Sequence, residues 1–154
     1  MNKTISFRGK IPDGLQDRIH LSTNDGMIGY KITKFQTISD APASTTAEIV
    51  CKIFTTDQTG SVGPNVDFND TDLLAVSYLE EHSNSTDFGG SKIIFDNEIV
   101  NQDIFVTASD GSGGTKECNY YIELEVMSLD DVEATMLTLK SLRNIASQWV
   151  NNII

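Results

Sequence analysis

Apolar residues recur at every second position through most of the chain and at every third or fourth position near its end. That change of period predicts a run of strands followed by one helix. Lys3 to Arg8 places Ile5 and Phe7 on one face of a half-buried strand. Ile11-Pro12-Asp13-Gly14 reads as a turn, and Asp17 to Thr23 follows with Ile19, Leu21 and Thr23 sharing a face. Asn24-Asp25-Gly26 tolerates positive φ, which predicts a hairpin into a strand over Met27 to Ile38. Strict alternation there puts Ile28, Tyr30, Ile32 and Lys34 on one face and Gly29, Lys31, Thr33 and Phe35 on the other.

Further strands are predicted over Ala47 to Thr56, Leu73 to Leu79, Lys92 to Phe95, Ile99 to Thr107 and Glu117 to Ser128. Small, polar or glycine-rich stretches separate them, and Asp110-Gly111-Ser112-Gly113-Gly114 reads as a hairpin tip. About eight strands with turn signals between them predict a mainly β fold: an antiparallel sandwich, with a jelly roll as one way of closing it. From about residue 130 to 150, Val132, Met136, Leu139, Leu142, Ala146 and Trp149 form an amphipathic stripe. Ser128 or Asp130 can cap the helix, Asp131 and Glu133 lie near the positive end of its dipole, and Lys140 and Arg143 lie toward the other. The stripe would dock on the sheet or on a neighbouring subunit, at about 1.5–3 kcal/mol per buried large apolar side chain.

The length of 154 residues fits one domain over residues 1–154. The formal charge of −11 argues against nucleic acid as a partner, because that affinity comes largely from clustered cations. The charge is uneven: residues 53–129 hold two Lys/Arg against fourteen Asp/Glu, whereas residues 1–52 hold seven against five. The acidic middle must be solvated, ion-bound or matched by a basic partner. Neither a secretory leader nor a membrane-spanning run is predicted. Cys51 and Cys118, each in a predicted strand, are expected as free buried thiols, with pairing across a sheet as the alternative.

Candidate chemistry is sparse, and the sequence predicts a protein without catalytic function. The two histidines, His20 and His82, accompany no nucleophile elbow and no zinc spacing. Glu123 and Glu125 share a strand face and read as an outward acidic row. Asp67-x-Asn69-x-Thr71 is similar to the start of an EF-hand loop but lacks the turn glycine, since position six is Asp72. Asp67, Asn69, Asp70 and Asp72 are therefore the candidate Ca²⁺ ligands, and no other cofactor is expected.

Three stretches carry a resemblance: Ile28-Gly29-Tyr30-Lys31-Ile32-Thr33-Lys34-Phe35-Gln36, residues 95 to 107 from Phe95 to Thr107, and Asn119 to Glu125 followed by Thr138 to Asn144. Together, over roughly residues 17–145, they resemble small virion structural proteins of tailed marine bacteriophages. The resemblance implies a particle component made in the host cytoplasm, with the major capsid protein or other virion subunits as partners. A capsid decoration or cement protein is the leading expectation, a homo-oligomer with a trimer favoured. A neck, tail or baseplate component is the alternative, and a carbohydrate-binding attachment module using Tyr30, Tyr78, Tyr120 or Tyr121 is a third. Candidate partner-binding residues are Lys31 and Lys34, facing an acidic shell, and Leu139, Leu142 and Trp149 on the helix.

Overall fold

Strand pairing in the computed structural model, which describes residues 3–42, 44–82, 89–96 and 98–153, is antiparallel throughout. In chain order the elements are β1 (Lys3–Ile11), β2 (Leu15–Ile19), β3 (Ile28–Ser39), β4 (Ala47–Phe54), β5 (Leu73–Glu81), β6 (Gly89–Ile94), β7 (Ile99–Val100), β8 (Ile104–Asp110), β9 (Cys118–Ser128) and α1 (Asp131–Ile153). One sheet has the order β1-β9-β3-β7 and the other β2-β8-β4-β5-β6. With β6 set aside as an added edge, the eight remaining strands pair first with last, second with seventh, third with sixth and fourth with fifth. This is the nested pairing of a jelly roll, two four-stranded sheets wound from one long folded-over ribbon.

That winding overturns three local expectations. The predicted β2–β3 hairpin is absent: β2 pairs with β8 while β3 pairs with β9 and β7, so Asn24-Asp25-Gly26 carries the chain from one sheet to the other. Gly26, at φ +67°, still makes the turn, but the turn changes layer. The Gly/Ser-rich stretch after Asp110 is likewise no hairpin tip, because β8 and β9 lie in different sheets. Asp110 organises that crossing, its Oδ1 accepting from the Glu48 and Ser112 backbone N–H groups at 3.1 and 3.0 Å. Third, the single strand expected over Ile99 to Thr107 is two strands of opposite sheets, broken at the polar triplet Asn101-Gln102-Asp103.

The two inner faces enclose one apolar core, with Ile11, Ile32, Phe35, Ile122 and Leu124 of one sheet facing Ile49, Ile53, Ala75 and Val106 of the other. A bulge between Ile32 and Lys34 sets this packing in β3. Two residues there oppose one on β9, so the parity flips, and Phe35, Thr37 and Ser39 join Tyr30 and Ile32 inside. Cys51 and Cys118 are free thiols fully buried in the core. Contact with Cys118 and burial push the Cys51 thiol well above its ordinary pKa.

One end of the core is polar and internally satisfied. Thr37 and Ser77 hydroxyls meet across the sheets at 2.6 Å, and Glu81 accepts from Ser39 at 2.8 Å and from Lys116 Nζ at 2.9 Å. Outside the five-stranded sheet, Phe54, Leu73, Phe105 and Phe95 form a second small cluster. Burial on both faces is why Leu73 to Val76 reads as an unbroken apolar run rather than an alternation.

Candidate interaction surface

Asp130 begins α1, its carboxylate Oδ1 accepting the Glu133 N–H at 2.8 Å while its carbonyl accepts the Ala134 N–H at 2.9 Å. Of the two predicted caps, Asp130 is the one used. Leu129, just before it, is buried and donates its N–H to Met27 O at 2.8 Å, which fixes where the helix leaves β9. The helix extends to Ile153, so Lys140 and Arg143 sit in its middle rather than at its negative end, and its last turn carries no basic residue.

The side of α1 that meets the sandwich is mostly small and polar, with Leu137 as the large apolar side chain among those described. Ala134 is buried, and Leu137, Thr138, Ser141 and Asn144 are half-buried. Asn101, fully buried, donates Nδ2–H groups to Gly26 O at 3.1 Å and Thr138 Oγ1 at 3.0 Å. Lys140 Nζ reaches Glu98 at 2.6 Å. The apolar stripe points the other way: Val132, Met136, Leu139 and Leu142 are 57–68% exposed, and Ile145 is 49% exposed. Of the two docking alternatives for this stripe, the sheet is therefore excluded for the described side chains. The side chain of Trp149 lies outside the described residues.

Beside α1, a cleft of about 440 Å³ lies between the helix and residues 68–73, 95, 96 and 98. Phe68 and Phe95 meet edge to face there, ring centroids 5.0 Å apart, and Lys140 and Arg143 border it from the helix. Phe68 is 62% exposed and is the aromatic that sequence reasoning passed over. Its only signal was a position among five polar residues of an acidic turn. The tyrosines named instead for sugar stacking are mostly covered: Tyr30 and Tyr120 are buried, and Tyr120 donates its hydroxyl to Asp17 at 3.0 Å. Tyr121 is half-buried, with its hydroxyl on Glu123 at 2.9 Å, and Tyr78 is half-buried too.

The structure does not gather Asp67, Asn69, Asp70 and Asp72 into a coordination set, and among the described residues no group of three or more His, Cys, Asp or Glu is placed to hold a metal ion. Their carboxylates cap the turn instead. Asp67 accepts the Asn69 N–H and Asp70 the Asp72 N–H, both at 2.9 Å, while Asp72 accepts from Thr56 at 3.1 Å. The same use recurs at Asp25, Asp57 and Asp110, so much of the acidic excess of the chain serves to turn its loops.

Lys31 and Lys34, expected on opposite faces of β3, share the outer face because the bulge removes one residue of alternation. Lys31 stands across from Glu125 and Lys34 across from Glu123, so the predicted acidic row is flanked by cations. His82 Nε2 lies 2.8 Å from Glu80, and His20 Nδ1 lies 3.2 Å from Asp103. Asp103 is a tie that sequence reasoning missed. It accepts the Leu21 and Ser22 N–H groups, each at 2.9 Å, and the Arg18 guanidinium at 2.5 Å. Burial opposes its ionisation, but these donors outweigh burial and hold its carboxyl well below the usual range.

Comparison of the chain with family models, with curated proteins and with solved structures returns no match.

Proposed function

We propose that this chain is a non-enzymatic structural subunit of a bacteriophage virion, a decoration or cement protein on the capsid shell. The observation that carries this reading is the orientation of α1. A helix that packs its mostly small and polar side on its own domain and turns five large apolar side chains to solvent is built for burial against another chain. The resemblance of residues 17–145 to virion structural proteins supplies the setting. The jelly roll agrees with it, since viral shell proteins use that fold, as do lectins and cupins.

The outer face of the four-stranded sheet, where Lys31 and Lys34 flank Glu125 and Glu123, is the surface proposed to meet an acidic shell. Copy number in purified particles tests the assignment. On the order of hundreds of copies fits a shell component, whereas about six to twelve, set by the axial symmetry of a tail, transfers it to the neck, tail or baseplate. Absence from particles refutes both. Reversing Lys31 and Lys34 to Glu together is expected to lower shell occupancy, and unchanged occupancy would remove that face from the proposal.

A further inference from the structure

We infer that α1 is the homo-oligomerisation element of this protein, pairing with the α1 helices of other copies in a short parallel bundle, three-stranded in preference to two. This inference rests on the assembly reading above and names its partner, another copy of the same chain.

The spacing of the stripe identifies the occupant. Positions 132, 135, 139, 142, 146, 149 and 153 alternate steps of three and four without a break, and they hold Val, Thr, Leu, Leu, Ala, Trp and Ile. That is the a/d seam of a heptad repeat, sustained for just over three heptads. A helix lying on a flat sheet or in a short groove has no need of a 3.5-residue period over this length. A helix following other helices does. Of the side chains that touch the sandwich, Ala134, Leu137, Ser141 and Asn144 fall at positions c and f of the same repeat, away from the seam, with Lys140 at b and Thr138 at g beside them. The domain thus holds the helix by its back and presents Val132, Thr135, Leu139, Leu142 and Ala146 outward.

Charge points the same way. The whole chain carries −11, which opposes contact between copies over most of their surface. The segment 131–154 carries Asp131 and Glu133 against Lys140 and Arg143, a net of zero, so the helix is a place where copies can meet without that penalty. The width of the apolar face favours three strands over two. Met136 and Ile145, both exposed, sit at e and g, and Arg143 is the one charged residue at any a, d, e or g position between 132 and 153. In a two-stranded coil those flanks stay wet and are usually charged, whereas each helix of a larger bundle is flanked on two sides and buries them.

The test is the solution mass of the full chain by light scattering over a concentration series, beside the double variant Leu139→Asp/Leu142→Asp. Both leucines are solvent-exposed in the single chain, so the variant should keep the circular dichroism of the folded domain. The wild type is expected near three times 16.9 kDa and the variant near 16.9 kDa. A monomeric wild type, or a variant that keeps the oligomer, overturns the inference. A second variant, Ala146→Cys, tests the parallel register, because equivalent a positions meet in a parallel bundle and an added oxidant such as copper–phenanthroline should link them. Cys51 and Cys118 are buried and do not compete. An oligomer in which Ala146→Cys fails to link refutes the bundle. Particle content separates this inference from the virion role: a monomer abundant in particles sinks the bundle alone, and a trimer absent from particles sinks the role alone.

Discussion

Removing the Asp103 carboxylate should destabilise the domain by an amount that the geometry bounds. Asp103 lies in the connection before β8 and ties down residues 20–22, the segment that crosses from β2 toward the other sheet. In Asp103→Ala, the Leu21 and Ser22 N–H groups lose their acceptor, and Leu21 is only 4% exposed. At about 1–3 kcal/mol for each stranded donor, the loss is roughly 2–6 kcal/mol. Arg18 adds at most about 1 kcal/mol, because its side chain is 65% exposed and solvent screens the pair. Urea unfolding should therefore show a midpoint lower by about 1–3 M, at a slope of about 2 kcal/mol per M. Asp103→Asn, which keeps an acceptor but not the charge, should fall between, and Arg18→Ala should move the midpoint least.

The pH dependence has a fixed sign. The folded carboxyl is held below its ordinary value of 3.8, so its contribution is fully present above that value and is lost as pH falls below it. Wild type should lose stability more steeply than Asp103→Ala in that acid range. If Asp103→Ala costs no more than Arg18→Ala, the two backbone donors are not what the carboxylate secures, and the reasoning is wrong.

Gly9→Ala should lower Tm by several degrees, since the new Cβ would stand 2.7–2.9 Å from the hydroxyl and ring of Tyr120, a buried side chain anchored to Asp17. Differential scanning calorimetry reads this, and an unchanged Tm would show that the ring gives way freely. Lys116→Met should cost about 3–5 kcal/mol by removing the ammonium that faces the Glu81 carboxylate, 3% exposed, while adding Glu81→Leu should recover most of it. A double variant no better than the single would refute the buried Glu81 charge as the source of the loss. Millimolar Ca²⁺ or EDTA should shift Tm by less than about 1 °C, because linkage needs a site that prefers the folded chain and the 67–72 carboxylates already cap their own turn. A rise on adding Ca²⁺ would reinstate Asp67, Asn69, Asp70 and Asp72 as ligands.

Local chemistry wrote much of this protein into its sequence. Alternation marked the strands, because a sheet with one dry face selects side chains at period two, and the switch to three and four marked α1 together with its Asp130 cap. The buried cysteines and the two-sheet class were legible for the same reason. What sequence alone could not settle was partnership. Turn residues at 24–26 and 110–114 fix that the chain bends, but which strand it meets next depends on winding the whole ribbon, so two expected hairpins became crossings between sheets. One bulged residue near Thr33 moved Phe35 inside and Lys34 to the face of Lys31, a parity change invisible to periodicity. The amphipathy of α1 likewise gave a stripe without a direction. Asn101 and Glu98, remote in sequence, hold the helix by its back together with the buried Ala134, and those contacts decide that Leu139 and Leu142 face outward.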